Sequence, residues 1–126
     1  MIIVAIDEID FKKASNILDN LDSDQCMIKI GSVAFNSIGP DIIFYAAKKG
    51  FDIFLDLKLH DIPNTVKKSI EGLLSYPIKM ITIHASGGRE MMTAAMKAVS
   101  GTDIKIFGVT ALTSLTDDDS CEIFQR

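Results

Sequence analysis

Five short apolar runs, each followed by an amphipathic stretch, constrain this chain most. The runs fall at 2–6, 27–30, 52–58, 79–84 and 104–109, and isoleucine dominates several of them. Their length and β-branched content read as strands. Between them the apolar positions recur at helical spacing, over 10–20, 36–49, 64–75 and 88–99, and a further helix begins near 117. Strands that alternate with helices across short connections pair in parallel, because the helix supplies the crossover. The expectation is an α/β fold of a single domain over residues 1–126. Local signals agree with it. Asp10 precedes "FKKASNIL" as an N-cap, Gly50 closes the second helix at its C′ position, and Pro63 suits a first turn.

Parity within the strands carries more information, since side chains two apart share a face. One face is aliphatic throughout: Ile2, Val4 and Ile6; Ile28 and Ile30; Ile53, Leu55 and Leu57; Ile81 and Ile83. It suits the layer beneath the helices. The other face starts apolar and finishes polar: Ile3, Ala5, Asp7; Met27, Lys29; Phe54, Asp56, Lys58; Met80, Thr82, His84. The polar group comes at the carboxyl end in four consecutive strands. A TIM-type parallel (β/α) barrel places its reactive groups there. This chain therefore reads as the first five βα units of such a barrel.

The segment "DLKLHDIPNT", residues 56–65, holds the densest charge. Asp56 and Lys58 lie about 6.6 Å apart along one strand face, at two residues of ~3.3 Å rise. Asp61 follows in the loop and is expected to fold back towards Lys58, while Lys29 reaches Asp56 from the neighbouring strand. The result is a Lys–Asp–Lys–Asp array of zero net charge. A plain strand-end salt bridge is the competing reading, and the aligned Asp7, Lys29 and His84 favour a site over it.

Composition excludes several classes. The formal net charge is −4 with a pI near 5.0, and Lys12/Lys13, Lys48/Lys49 and Lys67/Lys68 are scattered pairs on helix faces. No basic stripe suggests a nucleic-acid partner. Cys26 and Cys121 lack the spacing of a zinc site or disulfide framework. The opening "MIIVAI" has no basic flank and meets Asp7 too soon for a signal peptide or membrane span. A cytoplasmic protein is expected.

At these residues the chain resembles the orotidine 5′-phosphate decarboxylase family. "DLKLHDIPNT" is similar to the family signature, supported in order by "VAIDE" at 4–8, "IKIGS" at 28–32, "ITIHASGG" at 81–88 and "GVTALTS" at 108–114. The resemblance implies decarboxylation of orotidine 5′-phosphate to uridine 5′-phosphate in pyrimidine synthesis, without metal or cofactor. It implies that Lys58 protonates C6 of the pyrimidine, with Asp56, Asp61 and Lys29 as the other catalytic groups. Substrate-binding positions implied by it are Asp7 and Lys29, the run Asp56, Leu57, Lys58, Leu59, His60, Asp61, Ile62, Pro63, Asn64 and Thr65, and Thr113. Asp7 would hold a ribose hydroxyl and Thr113 the pyrimidine edge. Asp61 and Thr65 would serve the neighbouring site across a homodimer interface.

Five units are fewer than the eight of a closed barrel, which takes about 250 residues. The family grips the substrate phosphate after its last two strands, and neither Arg89 nor Arg126 lies in a matching motif. The expectation is a decarboxylase that is active only if another chain supplies the missing strands, the partner being a homodimer mate or such a complementing chain. The alternatives are a catalytically silent barrel fragment acting as an interaction or folding unit, and a magnesium-using sugar-phosphate relative, against which HDIPNT argues. His60 and His84 read as structural, Met91, Met92 and Met96 as packing, and the glycines of "SGGRE" as a tight turn rather than an anion seat.

Overall fold

The computed structural model describes residues 1–124 of the chain; Arg126 lies outside them. Strands β1 (Ile2–Ile6), β2 (Cys26–Gly31), β3 (Ile53–Leu59), β4 (Met80–His84) and β5 (Lys105–Val109) form one sheet in chain order, parallel throughout. Helices α1 (Phe11–Asp19), α2 (Ser32–Ile38), α3 (Asp41–Lys48), α4 (Pro63–Leu73), α5 (Arg89–Ala98) and α6 (Asp117–Phe124) alternate with them. The expected caps are present. Asp10 accepts a bond from the Lys13 N–H, Pro63 opens α4, and Gly50 follows α3 at φ 93°.

The helix expected over 36–49 is two helices. Pro40 has no N–H and disfavours helical geometry in the residue before it. Gly39 accordingly turns to φ 86° and its N–H bonds back to the Phe35 carbonyl, ending α2. The chain restarts as α3 one residue later. Upstream, α2 begins at Ser32 directly after β2, with no intervening loop.

The aliphatic strand face is the core. Ile6, Ile28, Ile30, Ile53, Leu55 and Ile81 are fully buried against helix residues such as Leu18, Ile42, Ile43, Ile70 and Met91. Each such side chain contributes roughly 1.5–3 kcal/mol relative to exposure. Three positions depart from the expected pattern. Ile2 is 62% exposed and Val4 half-buried, because β1 is an edge strand with no partner beyond it among the described residues. Leu57 is half-buried, because β3 is irregular: Leu55 pairs with Ile81, but Leu59 rather than Leu57 pairs with Ile83. Met91 and Met92 pack as expected, whereas Met96 faces solvent at 56% exposure.

Candidate active site

The irregularity in β3 centres on Lys58, whose φ of 49° makes it the one non-glycine residue in the left-handed region among the described residues. Such a conformation is uncommon for a side chain with a Cβ and is held only where surroundings compensate. Here the Lys58 N–H donates to Thr82 Oγ1 on β4 at 2.9 Å. The Thr82 hydroxyl in turn donates to Asp56 Oδ1 at 2.7 Å. Lys58 Nζ donates to Asp56 Oδ2 at 2.7 Å, and Lys29 Nζ from β2 stands 3.5 Å from the same oxygen. Three neighbouring strands thus converge on one carboxylate.

Asp56 is 7% exposed, and the lysine side chains are about a third exposed, at 34% and 37%. Burial alone would raise the Asp56 carboxyl. The hydrogen bonds from Lys58 and Thr82 and the charges of Lys58 and Lys29 outweigh it and hold the carboxyl below its usual range. The aspartate stays ionised, and both of its oxygens act as acceptors. Among the described residues no buried side-chain polar atom lacks a partner.

Around this cluster the surface is concave. A cavity of about 310 Å³ is lined by Asp7, Lys29, Asp56 and Lys58. An adjoining one of about 430 Å³ is lined by Lys29, Asp56, Lys58, Thr82 and Thr113. Asp7 and Lys58 therefore share one side of the sheet, as strand parity requires, and Thr113 joins them from the segment after β5.

Other expected positions lie elsewhere. Asp61 does not fold back on Lys58. It is exposed, its Oδ1 accepts from the Ile62 N–H at 2.7 Å, and it makes no ion pair within 4.0 Å among the described residues. The left-handed turn at Lys58 ends the regular strand, so the loop beyond carries Asp61 outward. Leu59 is half-buried in the last position of β3, and His60, Ile62, Asn64 and Thr65 are exposed in the following loop and first turn of α4, beside half-buried Pro63. The His60 ring packs against that of His84 at a tilt of 44°, ring centroids 5.4 Å apart, tying that loop to the end of β4. The glycines of "SGGRE" form a tight turn. Gly88 sits at φ 97°, and a Cβ on Gly87 would run into Met91 Sδ. Among the described residues no three His, Cys, Asp or Glu side chains converge as a metal site, and no helix is long and apolar enough to cross a membrane.

Thr82 is the site residue that sequence reasoning did not single out. Its signal was present: a polar residue in mid-strand on the same face as Met80 and His84.

These features define a class. Consecutive parallel βα units with a charged cluster at their carboxyl ends form part of a TIM-type (β/α) barrel. Within that class the chain belongs to the orotidine 5′-phosphate decarboxylase / HUMPS family, whose sequence model matches residues 1–124. It is 42% identical over 120 residues to orotidine 5′-phosphate decarboxylase of Saccharophagus degradans, covering 94% of this chain and 50% of that protein. To the enzyme of the same name from Wigglesworthia glossinidia brevipalpis it is 48% identical, covering 94% and 52%. The crystal structure of orotidine 5′-phosphate decarboxylase from Lactobacillus acidophilus superposes with a TM-score of 0.86 at 35% identity, over 98% of this chain and 58% of that one. The chain spans about half the length of the curated relatives it matches.

Proposed function

We propose that this chain provides the charge array of an orotidine 5′-phosphate decarboxylase, forming uridine 5′-phosphate in pyrimidine synthesis, within an assembly that closes the barrel. The observation that carries the reading is the Lys29–Asp56–Lys58 cluster on two adjacent strand ends. In the reaction the bond from C6 to the carboxylate breaks, carbon dioxide leaves, and the electron pair stays on C6. That carbanion has little resonance relief, so a fixed ammonium is its natural stabiliser. Lys58 delivers a proton to C6 and is recharged from solvent. A substrate carboxylate about 4 Å from Asp56 meets a repulsion of roughly 4 kcal/mol at an effective dielectric near 20. Relief of that repulsion in the transition state is worth about three powers of ten in rate.

The remaining assignments complete this reading. Asp7 holds a ribose hydroxyl beside Lys29, and Thr113 meets the pyrimidine edge. Asp61 and Thr65 act across a homodimer interface; their exposure and the lack of an Asp61–Lys58 ion pair are compatible with that role. The protein works in the cytoplasm, and the phosphate is held by further βα units.

A requirement for those units is supported by the open sheet. Ile2, Ile3 and Phe107 on edge strands β1 and β5 are 62%, 44% and 48% exposed, and unpaired apolar edges drive association. The test compares the 126-residue chain alone with the chain joined by a polypeptide carrying the three further βα units of a relative. Size-exclusion chromatography and the loss of orotidine absorbance are read together. The chain alone is expected to be associated and inactive, and the completed barrel active. Turnover by a monomeric fraction of the chain alone, or none by a folded completed barrel, overturns the proposal.

A further inference from the structure

Thr82 belongs to neither the charged pair nor the positions the family resemblance assigns, yet it touches both halves of the cluster. Its side chain is buried on β4, at 3% exposure. A threonine hydroxyl has one proton to give and lone pairs to accept with. The backbone N–H of Lys58 can only donate, so at 2.9 Å it must find the Thr82 lone pair. The hydroxyl proton is then left for Asp56 Oδ1, 2.7 Å away. The direction of both bonds is forced.

Two consequences follow for the pair that the proposed chemistry uses. With Oδ1 committed to Thr82, Asp56 has Oδ2 turned towards Lys58 Nζ and Lys29 Nζ, at 2.7 and 3.5 Å. The bond from the Lys58 N–H anchors a backbone at φ 49° that a lysine does not adopt unaided. One hydroxyl therefore sets the orientation of the carboxylate and the place from which the lysine side chain springs.

We propose that Thr82 is a positioning residue of this site: its hydroxyl locks the Lys58 backbone turn and aims Asp56 at the two lysines. For its kinetic arm the inference rests on the decarboxylase reading; its structural arm does not. The charged groups around Asp56 are Lys58 from its own strand, Lys29 from β2 and, lining the same cavity, Asp7 at the end of β1. On β4, His84 packs against the His60 ring instead.

The experiment uses Thr82→Val, which keeps the shape and removes the hydroxyl, and Thr82→Ser, which keeps the hydroxyl and removes the methyl. In the 126-residue chain, the Asp56 carboxyl carbon is titrated by NMR. Its midpoint is expected to rise in the valine variant and to return to that of the unaltered chain in the serine variant. In the completed barrel, kcat is expected to fall about tenfold to a hundredfold in Thr82→Val, the range for losing a hydrogen bond to a charged group. KM should change by less than about threefold, since the interaction lost is one of aim rather than uniform binding. Serine should restore kcat to within about threefold, leaving the same hydrogen bonds in place. An unshifted midpoint with undiminished kcat in Thr82→Val overturns the proposal. So does a serine variant as impaired as valine, which would make packing of the methyl the cause. If the unaltered completed barrel does not turn over, the decarboxylase reading falls, and the titration alone decides the role of Thr82.

Discussion

Replacing Asp56 by Asn tests the charge array most directly. The side chain keeps its shape, so no cavity opens, and its carbonyl oxygen can still accept from the Thr82 hydroxyl. Its NH₂ group then faces Lys58 Nζ, donor against cation, where an anionic oxygen stood 2.7 Å away. At an effective dielectric near 20, a unit charge attracts the two ammonium groups by roughly 6 kcal/mol at 2.7 Å and 5 kcal/mol at 3.5 Å before hydration is counted. Removing one partner of a buried pair leaves a net cost of about 3–5 kcal/mol. Both lysine side chains are about a third exposed and recover water, so the loss is discounted to about 2–3 kcal/mol. If that loss falls on the transition state, kcat drops about 30- to 150-fold. The assay is turnover in the completed barrel, with the dissociation constant for substrate measured separately. Where repulsion of the substrate carboxylate contributes, the variant also binds substrate more tightly while turning it over more slowly. A kcat within about threefold of the unaltered protein, in a variant that folds normally, refutes the reasoning, since it corresponds to well under 1 kcal/mol.

Lys58→Ala is expected to abolish decarboxylation in the completed barrel while nucleotide binding stays measurable, because the ammonium acts mainly in the transition state; lost binding with retained turnover at saturation contradicts this. Acid should weaken the fold through Asp56. Its carboxyl is held below the usual range when folded, so its contribution is complete above the unfolded value of about 3.9 and is lost as pH falls through the folded one. Denaturation midpoints followed from pH 6 downwards should therefore decline less steeply in Asp56→Asn than in the unaltered chain.

Strand–helix alternation and face parity belong to the sequence itself, since they follow from local geometry that each run of residues carries alone. They suffice to place Ile28, Ile53 and Ile81 in the core and Asp7, Lys29, Asp56 and Lys58 on the opposite face. The Asp10 and Pro63 helix starts are legible for the same reason: a cap or a missing N–H acts within one turn. What needed tertiary structure is whatever depends on a neighbour from another part of the chain. The split of the helix over 36–49 was written locally in Gly39–Pro40, but apolar periodicity running through both pieces masked it. The left-handed turn at Lys58, the shifted pairing of Leu59 with Ile83, and the outward course of Asp61 had no such local mark. They depend on β4 presenting Thr82 at the height where the Lys58 N–H and the Asp56 carboxylate both need a partner. Cross-strand register sets that height, and register is a property of the assembled sheet.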